Sequence, residues 1–379
     1  MGVVTTADTG LRATEARSLD GFPEVNALLE KLELGVLRQD DCDSFVGRNP
    51  NWAGTTTKGF PVFIKSLGPL PKGDALGRLR RTHTFDVLRD RVGFTRLRSP
   101  KVLGHDEPSG LVVSRLLGDA VAGDDLAGDT RFPEWAAREA GGALAELHSV
   151  PPLDSVDRTP PVLPPLELLS ALPLETYYAA TLAELELWQC LQSDAALSDA
   201  LVTLRRRESA AHHTMIHADL RLDQLLITPD NKLYFIDWEE FRVGDPARDV
   251  GSFLGEWLYL ATLSMSENDD LDHVPDSASG PHPIDDQAIV RRGVRKLDQH
   301  LPHMTAFWKE YQVGRPAVDS AFRARTTAYA GWHLIDRVLA LASQRATLPA
   351  LALAAAGIGR LAVIRPEHFA GALGLKEQT

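Results

Sequence analysis

Cysteine is nearly absent. Cys42 and Cys190 are the only two in 379 residues, far apart and matched to no metal-ligand spacing. Both read as reduced thiols, which leads us to expect a cytoplasmic protein. Long apolar runs are missing as well. The most apolar stretch, residues 348–364, is rich in glycine and alanine and shorter than the roughly 20 residues a bilayer demands, so no membrane segment is expected. Met1 to Arg17 lacks the apolar core of a secretory signal and reads as a polar lead-in. Positive charge is in deficit: 40 Lys and Arg stand against 52 Asp and Glu, a formal net charge of −12. That argues against nucleic acid as a partner, because phosphate backbones require clustered basic surface. His212, His213 and His217 lie close together, but only His217 belongs to a larger constellation, and zinc is not expected. There is no internal repeat.

What is present is concentrated in Ile216-His217-Ala218-Asp219-Leu220-Arg221-Leu222-Asp223-Gln224 and, shortly after, Ile236-Asp237-Trp238. Phosphoryl transfer needs one carboxylate beside the attacking hydroxyl and further oxygen ligands for magnesium on the nucleotide phosphates. Asp219 suits the first role, and Gln224 and Asp237 suit the second, since a hard cation prefers oxygen. About 18 residues separate Asp219 from Asp237. Between them come an apolar run Leu225–Thr228, the turn residues Pro229-Asp230-Asn231 and a second apolar run Leu233–Ile236. Such a hairpin sets the two aspartates on neighbouring loops. A lone His-x-Asp is common, and an Asp after an apolar strand is often only a turn residue. Order and spacing together carry the specificity.

Upstream, apolar periodicity predicts a helix from Pro23 to Leu34. Strands are then expected at Asp43–Gly47, Thr55–Thr57 and Phe60–Lys65, with Lys58-Gly59 as a two-residue hairpin turn. The intervening loop Gly47–Gly54, which carries Asn49 and Asn51, is either a candidate lid over nucleotide phosphates, poor in glycine for that role, or a plain surface hairpin. Lys65, closing Val62-Phe63-Ile64-Lys65, stands where a phosphate-binding lysine ends its strand. A helix follows from Asp74, its N-cap, to Val92. It holds no glutamate to meet that lysine; Asp86 and Asp90 are its only internal acids. Arg78, Arg80, Arg81, Arg89 and Arg91 make it basic, either as a solvated face or as a surface for an anionic partner. Strands at Lys101–Gly104 and Leu111–Ser114 lead to Arg115-Leu116-Leu117-Gly118, a hinge whose backbone would meet the base. Ser114 and Leu116 therefore join Lys65, Asn49 and Asn51 as candidate nucleotide contacts.

Beyond the hinge the pattern turns helical: Trp135–Val150, Leu166–Arg207, a helix capped by Asp249, and Asp286–Glu310, Ala317–Gln344 and Ala350–Ile364. An acidic loop, Ser266–Asp286, interrupts them. The expected fold is α+β and bilobal. Residues 1–20 form the lead-in, 21–117 a small β-rich nucleotide-binding lobe, and 118–379 a larger helical lobe with the catalytic loop and substrate site.

These motifs, with Gly142-Ala143-Leu144-Ala145-Glu146-Leu147-His148 and Gly244-Asp245-Pro246-Ala247-Arg248-Asp249-Val250, resemble the aminoglycoside-phosphotransferase-like, or choline-kinase-like, branch of the protein-kinase fold. The resemblance runs from about Asp43 to the C-terminal helices. It implies a magnesium-dependent kinase using ATP or GTP. Asp219 would orient the acceptor hydroxyl, Asp237 would ligate Mg2+, Lys65 would hold the α- and β-phosphates, and His217 would buttress the loop. Asp249 would tie that loop to the next helix. Two departures stand out. Gln224 replaces the usual Asn, and Arg221 sits where protein kinases carry a lysine and small-molecule members more often a histidine; a fixed cation there stabilises charge on the moving phosphoryl.

Within the branch, Gly47-Arg48-Asn49-Pro50-Asn51-Trp52-Ala53-Gly54-Thr55 and the Arg-containing, Gln-ending catalytic loop resemble the kinase-like subunits of class V lanthipeptide and thioamitide biosynthesis. That implies Ser and Thr hydroxyls of a precursor peptide as acceptors and a separate lyase as partner; we further expect a leader segment bound away from Asp219, with the N-lobe, including the Arg-bearing helix, as a candidate surface. Two alternatives remain: a kinase for a small antibiotic-like or amino-alcohol acceptor, and a pseudokinase scaffold that binds peptide or nucleotide.

Overall fold

A computed structural model describes residues 13–15, 17–45, 49–68, 74–266, 286–315 and 318–375. Most of the expected lead-in, Gly47 and Arg48 of the candidate lid, and nearly all of the acidic loop Ser266–Asp286 lie outside the described residues. Two compact units emerge, residues 1–159 with 215–243 and residues 160–214 with 244–379. The segment 215–243, expected in the helical lobe, belongs to the same unit as the large sheet.

The first unit is built on six antiparallel strands: β1 Ala13–Glu15, β2 Cys42–Phe45, β3 Asn51–Thr55, β4 Pro61–Ser66, β5 Val102–Asp106 and β6 Leu111–Arg115. Their spatial order is β1-β2-β3-β4-β6-β5, so β4 lies between β3 and β6. Side chains alternate along it, as a strand's period of two requires. Val62 and Ile64 are fully buried, joining Trp52, Leu111 and Val113 against Val25, Leu28 and Leu29 of helix α1, Pro23–Lys31. Lys65 points the other way. Helix α2, Ala75–Val92, is held through Leu79, which packs with Leu67 and Val112.

Strand β3 begins at Asn51, earlier than the threonine run at 55–57. Burial explains the difference: Trp52 is fully enclosed, pairs opposite Ile64, and donates its indole N–H to the Arg17 carbonyl at 2.9 Å. The candidate lid is shortened accordingly. The turn to β4 is also longer than Lys58-Gly59. Thr55 pairs with Pro61, the Thr56 amide donates to the Phe60 carbonyl at 2.9 Å, and Gly59 takes the left-handed conformation at φ 84°. Asp74 does occupy the N-cap position of α2, but makes no capping bond; its carboxylate accepts from Arg81 at 2.6 Å instead.

After the hinge come β7 Val121–Ala122, α3 Gly123–Gly128 and α4 Glu134–Ser149, and later β8 Thr214–Ile216, β9 Leu225–Ile227, β10 Leu233–Phe235 and β11 Arg242–Gly244. The hairpin read from sequence is present, with Leu233 opposite Ile227 and Phe235 opposite Leu225. β7 adds to its free edge, β8 pairs with β11, and both β7 and the short α3 went unanticipated.

The second unit is helical: α5 Leu166–Ser170, α6 Leu174–Ala179, α7 Leu182–Gln192, α8 Ala195–Ser209, α9 Ala247–Leu263, α10 Asp286–Gly314, α11 Phe322–Ala342, α12 Ala350–Ile364 and α13 Pro366–Phe369. Gly251 lets α9 and α11 close on each other, since a Cβ there would lie 2.6 Å from the Thr326 carbonyl oxygen. Buried arginines are paired. Arg325 meets Asp245 at 2.6 Å and Asp319 at 2.8 Å, and Arg248 meets Glu208 at 2.5 Å. Asp249 is not the N-cap of α9. The helix starts at Ala247, whose amide donates to the Asp245 carboxylate at 3.1 Å, and Asp249 lies buried in the first turn. Among the described residues no helix is long and apolar enough to cross a membrane.

Candidate active site

Within the first unit, β4 delivers Lys65, the loop after β8 delivers His217, Asp219, Arg221 and Gln224, and the turn after β10 delivers Asp237. Two non-glycine residues in this region adopt the left-handed conformation, Ala218 at φ 69° and Asp237 at φ 66°. Such a conformation costs roughly 1–2 kcal/mol per residue and persists only where surrounding contacts enforce it. Here His217 supplies part of that enforcement. It is fully buried, its Nε2 lies 2.9 Å from the Ile236 carbonyl, and its ring sits against Trp238 with centroids 4.5 Å apart. The Ile236 amide in turn donates to the Gln224 carbonyl at 3.0 Å. The loop after β8 and the Asp237 turn are therefore one braced structure.

Asp219 is half-exposed and accepts a hydrogen bond from Gln224 Nε2 at 3.1 Å. Arg221 Nη1 stands 3.6 Å from the same oxygen, while its Nε donates to Asp223 at 3.0 Å. Gln224 is 2% exposed, and its other side-chain atom, Oε1, is buried without a hydrogen-bond partner. An orphaned buried acceptor is costly unless something positive meets it. Asp237 lies on the neighbouring turn, so the residues present fit a hard cation taking one amide oxygen and one carboxylate, the sparse protein ligation typical of Mg2+ shared with phosphates. Among the described residues no cluster of three His, Cys, Asp or Glu side chains could hold a metal.

Lys65 answers the question left by the missing helix glutamate. Its Nζ lies 2.6 Å from Asp237 Oδ1 and 2.9 Å from Glu239 Oε2. Burial alone would lower the lysine's pKa, but the two carboxylates outweigh it and hold the ammonium above its ordinary value. Burial likewise favours a neutral Asp237, yet Lys65 pulls its carboxyl below the ordinary range. Glu239 moves the other way, raised by burial and by the charge of Asp237. One cation thus serves two carboxylates whose affinities for a proton are driven apart.

The remaining candidates sort unevenly. Asn51 is buried, and its amide is committed to the β2–β3 connection: Oδ1 accepts from the Phe45 amide at 2.7 Å and Ser44 Oγ at 3.1 Å, while Nδ2 donates to the Phe45 carbonyl at 2.8 Å and the Asn49 carbonyl at 3.3 Å. It shapes the loop rather than offering that amide to phosphate. Asn49 is half-buried beside it. Ser114 lies in β6 opposite Phe63, half-buried. The Leu116 amide donates to the Pro61 carbonyl at 3.1 Å, so it is spent, and a base edge would find the Leu116 carbonyl or the amides that follow.

The arginines of α2 do not form a free basic face. Arg81 is buried; its Nε donates to the Glu239 carbonyl at 2.6 Å, and its guanidinium also meets Asp74 and Asp157. Arg78 reaches Glu239 at 3.7 Å and Arg89 pairs with Asp86 at 2.6 Å, leaving Arg80 and Arg91 as the exposed members. Sequence reasoning missed Glu239, although its position two residues after Asp237 was available as a signal. It also missed the apolar patch of Leu117, Leu226 and Ile236 around Ala120 and Ala122, which only tertiary contact assembles.

A model of the phosphotransferase enzyme family matches residues 49–281. No curated protein matches the chain in sequence. Among solved structures, the chain is similar in fold to an amicoumacin kinase in complex with AMP-PNP, Ca2+ and Ami, at 15% identity and a TM-score of 0.52, over 90% of this chain and 93% of that one. It is also similar to an ethanolamine kinase of Plasmodium vivax, at 14% identity and a TM-score of 0.50, over 87% of this chain and 84% of that one. Both likenesses concern the fold.

Proposed function

The chain belongs to the phosphotransferase enzyme family, and from that premise we propose that it moves the γ-phosphoryl group of ATP or GTP to a hydroxyl of a small polar molecule. The observation that carries the reading is the buried, unpartnered Oε1 of Gln224 on a side chain whose Nε2 holds Asp219, next to the Lys65–Asp237 pair. That is a place for a cation between a base and a phosphate-binding lysine.

Asp219 accepts the hydroxyl's proton as its oxygen attacks the γ-phosphorus and the bond to the β–γ bridging oxygen breaks, releasing the nucleoside diphosphate. Lys65 binds the α- and β-phosphates. Arg221, already beside Asp219, meets the negative charge spread over the phosphoryl oxygens in flight. Gln224 and Asp237 would hold Mg2+, which neutralises phosphate charge when bound. Leu117 and Ile236, half-buried over the core cluster of Ala120, Ala122 and Leu226, would meet the base. A small acceptor is favoured because the structural relatives with shared fold are named for small substrates, an amicoumacin and ethanolamine.

A second reading, Ser and Thr of a precursor peptide with a separate lyase to follow, is favoured by one feature, the cationic Arg221 at the loop position where protein kinases carry lysine. Incubation with Mg2+ and ATP or GTP against a panel of aminoglycosides, amino-alcohols and Ser/Thr-rich leader–core peptides, read by mass, tests both. Phosphate added to a small hydroxyl compound supports the first reading; phosphate added only to peptide replaces it with the second. Nucleotide binding without transfer to any acceptor would leave a scaffold.

A further inference from the structure

The helix that ordinarily offers an acid to a strand lysine has none to offer here, and its own few acids are engaged elsewhere. Asp86 pairs with Arg89 at 2.6 Å, Asp90 pairs with the same arginine at 2.8 Å, and Asp74 is drawn to Arg81. What α2 presents to the site is positive charge. We propose that Glu239 is the positioning residue for Lys65, a carboxylate that bridges the lysine to α2, so that the helix controls the lysine through arginine rather than through an acid of its own. The role rests on the phosphotransfer reading above.

Each part of the bridge has a separate contact. Glu239 Oε2 lies 2.9 Å from Lys65 Nζ, and Oε1 lies 3.7 Å from Arg78 Nη1. Its backbone is gripped as well, by Arg81 Nε donating to its carbonyl at 2.6 Å. Arg81 itself is 5% exposed and anchored by Asp74 at 2.6 Å, Asp157 at 3.2 Å and Glu240 at 3.6 Å, so the grip comes from a fixed side chain. Apolar packing sets the same register: Phe85 of α2 stacks on Trp238 with centroids 3.4 Å apart and planes 5° from parallel. The left-handed backbone of Asp237 begins a one-turn 3-10 helix, Trp238–Glu240, and both Asp237 and Glu239 reach the same ammonium.

Two carboxylates on one lysine are not redundant once a nucleotide is present. Asp237 is the residue suited to a cation, and a carboxylate shared with a divalent ion holds an ammonium less firmly. Lys65 must also turn part of its charge toward phosphate. Glu239, tied from behind by Arg78 and Arg81, is the contact that can persist through both changes and keep Nζ aimed. A positively charged side chain placed this way loses less entropy when it meets its ligand, the usual benefit of preorganisation.

The test is a double-mutant cycle on nucleotide affinity, with the full chain titrated with MgATP and MgGTP by calorimetry and each variant's melting temperature recorded. Glu239→Gln keeps the shape and removes the charge. It should weaken MgATP binding on the order of tenfold, near the low end of what losing one close charge pair costs, without a matching loss of thermal stability. In a Lys65→Met background the same change should do nothing, because a residue that acts through Lys65 has nothing left to act on. Equal losses in both backgrounds, or no loss in either, would overturn the proposal. Arg78→Met, on the half-buried face of α2, repeats the cycle should Glu239→Gln not fold: a severalfold loss confined to the Lys65 background supports the bridge, and an additive loss overturns it. A wild-type chain that binds neither nucleotide would remove the proposed function itself, and this role with it, an outcome distinct from a binding wild type with an additive cycle.

Discussion

Replacing Gln224 by methionine should separate folding from function in this chain. The side chain is 2% exposed, so its polar atoms contribute to stability at nearly full strength in either direction. One of them is favourable: Nε2 donates to Asp219 at 3.1 Å. A bond to a charged group is worth about 1.5–3 kcal/mol, but the Asp219 side chain is 37% exposed, and screening by water reduces this to about 1 kcal/mol. The other atom is unfavourable. Oε1 is buried with no partner, which costs about 1–3 kcal/mol. Methionine has nearly the same length and volume and carries neither group. The expected balance lies between no change and a gain of about 2 kcal/mol, a rise in Tm below the roughly 4–8 °C that the same gain produces in a domain of 150–250 residues. The metal-dependent behaviour should move the opposite way. Even partners outside a metal's direct ligands typically cost about 10–100-fold in metal affinity when removed, so losing a ligand oxygen should raise the Mg2+ needed for half-maximal nucleotide binding by at least about tenfold. Gln224→Asn, with the same amide on a shorter stem, should recover part of it. Melting curves and ATP titrations at graded Mg2+ read both effects. If Gln224→Met lost more than about 2 kcal/mol of stability, the orphaned acceptor would not be the burden argued here. An unchanged Mg2+ requirement would move the metal contact elsewhere, with Asp223 next to be tried.

Asp219→Asn preserves shape and should lower turnover by about 10²–10⁴-fold while nucleotide affinity stays put, measured in single turnover with whichever acceptor the panel yields; wild-type turnover would refute the assignment. Glu146 accepts from the amides of Thr95, Arg96 and Leu97 at 2.7, 2.9 and 3.0 Å. Although burial pushes its carboxyl up, those bonds hold it below the ordinary 4.5. A lowered folded-state pKa stabilises above 4.5 and loses that contribution as pH falls through the folded value. Denaturation of wild type and Glu146→Gln should therefore converge on acidification, and a gap independent of pH would contradict the arrangement. Asn51→Ala should cost about 2 kcal/mol of stability through the lost loop bonds; a selective loss of nucleotide affinity with unchanged melting would restore Asn51 as a ligand contact.

Much of the first unit was legible from local pattern. The 225–236 hairpin follows from two short apolar runs around Pro229-Asp230-Asn231, because turn chemistry and strand alternation are both local properties. Lys65 at the end of β4 was readable for the same reason, as was α12, whose bounds match the expected Ala350–Ile364. Where the reading slipped, a distant partner had overridden a local preference. Trp52 drew β3 back to Asn51 because burying an indole outweighs the strand preference of three threonines. Asn51 looked like a phosphate donor and became a loop clamp because Phe45 and Ser44 consumed its amide. Asp249 looked like a cap, but the helix begins two residues earlier, with Pro246 at the cap position and the Ala247 amide held by the Asp245 carboxylate.

The amino-acid sequence by itself determined the chemistry: a carboxylate, an amide and a second carboxylate in fixed order, a lysine ahead of them, and enough of the surrounding motif to identify the family. It did so because those groups sit within short stretches whose spacing the backbone transmits directly. Who meets whom across the fold was decided only in three dimensions. Lys65 and Asp237 are 172 residues apart, and no local rule states that the lysine's second partner is Glu239 rather than an acid on α2, or that the arginines of that helix turn inward to hold it. Charge pairing is non-directional along the chain; packing of β4, α2 and the Asp237 turn selects among many possible partners, and that selection exists only once the strands and helix are in place.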